Sequence, residues 1–170
     1  VDGSEFVRTS QGVYGLTIMN SDDAILTAIV QNSNFSNLSA SSLRIGQASG
    51  NAGSLSMLRA TVVGNTFGSA QGATAAAVLG SFSSTNGQVS RARLLFDNNR
   101  IYQNSLVPGM LVETPDPGSS PSVDVTFTQN HVDVQEDPLG SGTFGANGMV
   151  VQSSQAASTV SATRYWFGAD

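Results

Sequence analysis

Leu94-Leu95-Phe96-Asp97-Asn98-Asn99-Arg100-Ile101 is the stretch on which the reading of this chain turns, because its core, an apolar residue with Asn three places later, returns along the sequence. It recurs as Ile29-Val30-Gln31-Asn32, Val62-Val63-Gly64-Asn65 and Phe127-Thr128-Gln129-Asn130, so that the asparagines are spaced by 33, 34 and 31 residues. Two or three residues beyond each Asn stands another apolar residue: Phe35, Phe67, Ile101 and Val132. Ahead of it the side chains alternate with period two, as in Leu58, Ala60, Val62, in Ala92, Leu94, Phe96 and in Val123, Val125, Phe127. That period belongs to a half-buried strand. A fifth, degenerate copy is expected at Phe167-Gly168-Ala169-Asp170.

Working outward, a second short apolar strand follows each Asn, at Leu43 to Ile45, Ala77 to Leu79, Met110 to Val112 and Met149 to Val151, with an earlier copy at Leu16 to Ile18. Turn-rich stretches at Gly46 to Ser54, Gly80 to Gln88, Thr114 to Pro121 and Gln152 to Ser158 fall at one phase of the repeat and are expected to project from one side. The best helical candidate, Gln71 to Leu79, is broken by Gly72, Thr74 and Val78 and is read as strand. Strand, Asn turn, short strand, turn, strand and loop at a near-constant period describe a right-handed parallel β-helix, all-β, of about 33 residues per coil and four to five coils. One coil cannot cover its own apolar side chains, and stacking buries them in a narrow column. At about 4.8 Å per coil, five coils stand roughly 24 Å tall. The repeated Asn32, Asn65, Asn99 and Asn130 are read as structural turns, in which the amide bonds to the backbone and to the Asn one coil away and tolerates left-handed backbone.

Composition agrees with such a fold. Only 11% of the 170 residues are charged, against about 25% in an ordinary soluble domain. Polarity comes from Ser, Thr, Asn, Gln and Gly. There is no Lys, seven Arg stand among twelve acids, and the net charge of -5 argues against nucleic acid, whose phosphates need a concentrated basic face. No window offers the roughly 18 consecutive apolar residues of a membrane span. With no Cys, disulfides, thiolate metal sites and Cys nucleophiles are excluded and the redox compartment stays open. Val1-Asp2-Gly3-Ser4-Glu5-Phe6 can be encoded by adjacent cloning sites, so 1–6 is read as a vector remnant and 7–170 as one β-helix domain, a fragment of a larger protein.

The repeats, above all Phe96-Asp97-Asn98-Asn99 and Phe127-Thr128-Gln129-Asn130, resemble the FxxN repeats of β-helical passengers of bacterial surface proteins, such as polymorphic membrane proteins and other autotransporters. The resemblance spans about 12–170. The Gly-Gly-Ala-Ile companion of the polymorphic membrane pattern has only loose counterparts here, in Gly15-Leu16-Thr17-Ile18, Gly109-Met110-Leu111-Val112 and Gly148-Met149-Val150-Val151. What the resemblance implies is a secreted or outer-membrane-associated adhesin or passenger module without catalysis, meeting a host or surface receptor or glycan and stacking on further coils of its parent.

The search for chemistry finds no convergent set, and no catalytic, cofactor or metal residue is assigned. His131, the single histidine, is read as a solvated side chain outside its turn, although Asp133 two places on would share its strand face. A polysaccharide lyase, hydrolase or epimerase on the same fold is the alternative; it would need Asp97, Asp133 and Arg100 to line one groove. A phage tailspike-like, carbohydrate-binding trimer is a further one. Asp22-Asp23 and Asp133, Glu136, Asp137 match no calcium loop. Asp124, one coil on from Arg91 and Arg93, is placed for a cross-coil ion pair. Asn34-Phe35-Ser36 and Asn37-Leu38-Ser39 match the glycosylation triplet, and Tyr165-Trp166-Phe167 reads as a cover for the apolar column. Recognition is expected in two loops, one at Pro115, Asp116 and Pro117, the other, 135–148, containing Gln135, Glu136, Asp137 and Phe144.

Overall fold

The computed structural model describes residues 1–7, 14–36, 41–48, 50–68, 78–84, 88–103, 109–114, 121–134, 149–153, 158–163 and 166–168. Within them every element is a strand, and the strands fall into three parallel sheets. A middle sheet holds β2 (Leu16–Asn20), β5 (Leu43–Gln47), β8 (Val78–Phe82), β11 (Met110–Thr114) and β14 (Met149–Ser153). A long sheet holds β3 (Ile25–Gln31), β6 (Leu55–Val63), β9 (Val89–Asp97), β12 (Ser122–Thr128) and β15 (Ser158–Thr163). A short sheet holds β1 (Glu5–Val7), β4 (Asn34–Ser36), β7 (Thr66–Phe67), β10 (Arg100–Gln103), β13 (His131–Val134) and β16 (Trp166–Gly168). The chain visits middle, long and short sheet in turn and adds one strand to each per circuit: a parallel β-helix of three strands per coil, with β1 ahead of the first full coil. No helix among the described residues is long and apolar enough to cross a membrane.

Register along the long sheet gives the true period. Val30 pairs with Val62, Val62 with Phe96, Phe96 with Phe127 and Phe127 with Ala162, so successive coils take 32, 34, 31 and 35 residues. The varying lengths are absorbed between strands and the register of the inward column is kept, because a one-residue slip would turn every core side chain outward.

The alternation read from the sequence is the alternation of burial. Leu58, Ala60 and Val62, then Ala92, Leu94 and Phe96, then Val123, Val125 and Phe127 point inward and are all buried. The short sheet contributes Phe35, Phe67 and Ile101, and the middle sheet Leu43, Ile45, Val78, Phe82, Met110 and Val112. Like residues stand above like. Phe6, Phe35 and Phe67 stack face to face at 4.5 and 4.9 Å between ring centres, with interplanar angles of 2° and 21°. Such pairs add to the area they bury, by about 0.5–1.5 kcal/mol each.

Two expectations change. The middle strands run on past the positions where turns were expected, through Gln47, Phe82, Thr114 and Ser153, because these residues still pair with the coil beside them. Phe167 pairs with Val132, so the last copy of the motif falls at the apolar position after the corner and not before it. The run 71–77 lies outside the described residues, and Val78–Phe82 is strand. Residues 2–7 bond into the stack, with Asp2 bridged to Gln31 and Phe6 in register with Phe35.

Candidate functional site

Each described turn from long to short sheet is a two-residue corner, and the polar groups it frees need partners inside the column. Asn65, Asn99 and Asn130 supply them. All three are buried, and their amides form a ladder along the stack. Asn65 Nδ2 donates to Asn99 Oδ1 at 3.0 Å, and Asn99 Nδ2 to Asn130 Oδ1 at 2.8 Å. Each Oδ1 also accepts the corner N–H one coil back, from Ser33 to Asn65, from Asn65 to Asn99 and from Asn99 to Asn130, at 2.9–3.0 Å. Each Nδ2 also donates to a carbonyl one coil back, of Val30, Val62 and Phe96 respectively, all at 2.9 Å. Both amide hydrogens of every rung are used, and the Oδ1 of Asn99 and of Asn130 accepts twice, without any buried charge.

Asn32 is not a rung. Strand register sets Ser33, not Asn32, beside Asn65. Asn32 is exposed and takes left-handed backbone at φ 51°, as do Gly3 (56°), Gly64 (66°), Asn98 (51°) and Gln129 (54°) at the same place in the other corners. The two jobs assigned to one Asn are thus divided: the first corner residue turns the chain, and the second closes the ladder. Ser33 is too short to copy the amide; its Oγ accepts from Ser4 N–H at 3.2 Å and donates to Gln31 O at 2.8 Å. Asn32 Nδ2 donates to Asp2 Oδ1, and hydrogen bonds from the Gln31 and Asn32 side chains hold the Asp2 carboxyl below its ordinary value.

A second buried polar cluster lies where middle and long sheets meet. Ser56 Oγ accepts from Asn20 Nδ2 at 3.1 Å and from Gln47 Nε2 at 2.8 Å, and Ser90 Oγ donates to Gln47 Oε1 at 2.8 Å. One coil on, Phe82 takes the register position of Asn20 and Gln47, and Gly80 makes room: a Cβ there would sit 3.1 Å from the Phe82 ring.

Among the described residues the outward face of the long sheet gathers most of the exposed large apolar side chains. Five of the eight large hydrophobic residues exposed among the described set, Ile25, Ile29, Leu55, Val89 and Leu95, lie on it, and an exposed apolar concentration marks contact surfaces. Amid them stand Arg59, Arg91 and Arg93, all exposed. Arg59 is in register with Arg93, and Arg93 with Asp124, whose Oδ2 lies 3.6 Å from Arg93 Nε. The cross-coil ion pair expected from sequence is therefore present. A shallow depression of about 490 Å³ opens between Arg59, Thr61, Arg93, Leu95, Asp124 and Thr126. Another, of about 190 Å³, adjoins it at Met57, Arg59, Arg91 and Arg93.

Asp97 ends β9 on the long sheet and accepts from Thr128 Oγ1 at 2.8 Å, whereas Arg100 begins β10 on the short sheet and lies over the Tyr102 ring. The corner Asn98–Asn99 separates them. His131 begins β13, beside Arg100 and Trp166; it is half-buried, and its backbone N–H donates to Asn99 O at the corner. Asp133 follows on the same strand, its side chain outside the described set. Asp23 Oδ1 accepts the Leu55 N–H, a use of that carboxylate within the stack. Among the described residues no three His, Asp or Glu side chains converge as a metal ion requires. Asn34 is exposed on β4. The loop residues Pro115, Asp116, Pro117, Gln135, Glu136, Asp137 and Phe144 lie outside the described residues, as does Tyr165. No protein family, curated protein or solved structure matches the chain.

Proposed function

We propose that this chain is a non-catalytic β-helical module of a secreted or cell-surface protein, of the adhesin or autotransporter-passenger kind, and that it acts by presenting the outer face of the long sheet to a partner. One observation carries the reading: three exposed arginines lie together on a flat, apolar-rimmed sheet face in a chain of net charge -5. A column whose buried corners are tied by an uncharged amide ladder suits display. Arginine among exposed aliphatic side chains suits recognition, since it combines a planar charged fork with an apolar stem. The FxxN resemblance supports the surface setting.

The test uses the intact chain, immobilised and probed with arrays of extracellular proteins and glycans, with uronate polymers followed in parallel for cleavage. Saturable binding that Arg91→Glu with Arg93→Glu abolishes, without turnover, is the expected result. Cleavage or epimerisation of a polymer would replace the reading with the enzymatic one, and binding indifferent to the double reversal would move the site off the long sheet.

A further inference from the structure

The long sheet breaks a local rule at one place. Arg59 and Arg93 face each other in register on neighbouring strands, and like charges so placed destabilise a sheet. Arg91, two residues before Arg93, shares its face, so three of the chain's seven cations meet within two coils. Among the described residues an acid offsets Arg93 alone of the three, and its side chain still keeps 74% of its exposure. Among the described residues neither Arg59 nor Arg91 has an ion-pair partner. A local rule broken with only one exposed ion pair to offset it points to a functional requirement.

The pattern along β9 says what kind. Its outward positions are Val89, Arg91, Arg93, Leu95 and Asp97: apolar, cationic, cationic, apolar, anionic. Alternate residues on a strand are about 6.6 Å apart, and the neighbouring strand lies about 4.8 Å away. Arg91 and Arg93 thus stand at the spacing of alternate side chains in another extended chain, with Arg59 beside Arg93 to grip the same group from the next coil.

Resting on the reading of this chain as a binding module, we propose that this face holds an extended acidic peptide segment of a partner protein. Two carboxylates at alternate positions meet Arg91 and the Arg59–Arg93 pair, and an aliphatic side chain at either end meets Val89 and Leu95. Arginine forks bind carboxylates in bidentate fashion, which favours Arg over Lys at such a site. Val89 and Leu95, 48% and 38% exposed, gain by burying apolar side chains, which a hydroxylated sugar chain does not offer. No outward position of β3, β6, β9 or β12 is aromatic, so these strands give sugar rings no stacking surface. A nucleic acid carries a charge on every phosphate and needs a longer concentrated basic face than three arginines supply.

The experiment is fluorescence anisotropy of the full chain with a fluorescein-labelled Val-Thr-Glu-Thr-Glu-Thr-Val peptide, against the isomer Val-Thr-Thr-Glu-Glu-Thr-Val and against oligogalacturonate as competitor. The alternating peptide should bind saturably and more weakly as salt is raised. The isomer should bind about fivefold more weakly, because adjacent side chains on an extended chain face opposite ways. Arg91→Gln and Arg93→Gln, checked for unchanged circular dichroism, should each cost about tenfold. No binding by the native chain, equal binding of the two isomers, or insensitivity to both substitutions would overturn the proposal. Tighter binding of oligogalacturonate would overturn the peptide assignment and leave the binding module standing. Cleavage of either ligand, read by mass spectrometry, would instead overturn the non-catalytic reading beneath it.

Discussion

Replacing Asn99 with Ala removes the middle rung of the corner ladder, and the structure fixes what is lost. Asn99 Oδ1 accepts from Asn65 N–H and Asn65 Nδ2, and Asn99 Nδ2 donates to Val62 O and Asn130 Oδ1, all at 2.8–3.0 Å and all buried. The rungs are buried, and a buried donor or acceptor left unpaired costs about 1–3 kcal/mol. The Asn65 N–H sets the floor, and the severed links to Val62 O and Asn130 raise the expected cost to about 3 kcal/mol. Asn32→Gly is the comparison. The exposed Asn32 turns the chain at φ 51°, a conformation glycine adopts freely, so its replacement should cost under about 0.5 kcal/mol. Asn99→Asp adds a sign test. A carboxylate in the ladder sets negative oxygen against Val62 O and Asn130 Oδ1, so its folded pKa lies above the unfolded value. The variant is then least impaired below about pH 4, where the protonated group can still donate, and loses stability as pH rises through the folded pKa. The assay is urea unfolding followed by far-ultraviolet circular dichroism, with equal m-values confirming a shared transition. A cost below about 1 kcal/mol for Asn99→Ala, or equal costs at positions 99 and 32, would refute the division of labour at the corner.

Other substitutions probe the remaining supports. Phe67→Ala ends the stack of Phe6, Phe35 and Phe67 and should cost about 3–5 kcal/mol by thermal or urea melts. Gly64→Ala and Gln129→Gly act at equivalent corner positions with opposite signs: the first should destabilise by about 1–2 kcal/mol, the second should be neutral or stabilise by about 1 kcal/mol in the same melts. Ser56→Ala takes the acceptor from one hydrogen of Gln47 Nε2, the other keeping Arg91 O, while Asn20 Nδ2 retains Ala24 O and Met57 O; it should cost about 1–3 kcal/mol, with faster amide exchange at the meeting of middle and long sheets.

Much of this architecture is legible because a solenoid writes the same sentence several times. Phe96 and Phe127 announce the column by period and polarity, and Asn99 and Asn130 announce the rung because nothing else explains a polar residue recurring beside a core position. Asn32 misleads for a physical reason: Asn suits both corner positions, one through tolerance of left-handed backbone and one through its amide, and one coil of 32 residues shifts the motif by a single place. The cluster of Gln47, Ser56 and Ser90 goes unseen because these residues share the composition of turns. Its one signal is that the inward alternation of 58, 60, 62 and 92, 94, 96 extends back to Ser56 and Ser90. The arginine face is likewise hidden, since Arg59 and Arg93 look scattered until register sets them side by side.

Register is therefore the claim on which both fold and binding face rest, and the absence of cysteine makes it directly measurable. Thr61 and Leu95 are in-register neighbours on β6 and β9, within the roughly 4.4–6.8 Å between Cα atoms that a disulfide spans. Asp97, two residues further, lies about 8 Å from Thr61 by the same strand spacings, and Thr126, two coils away, about 10 Å. Mild oxidation of the double variant Thr61→Cys/Leu95→Cys should close an intramolecular disulfide, counted by thiol titration and mass spectrometry, while Thr61→Cys/Asp97→Cys and Thr61→Cys/Thr126→Cys stay reduced. Closure of either control in preference to the first pair would contradict the coil stacking that brings Arg59 to Arg93.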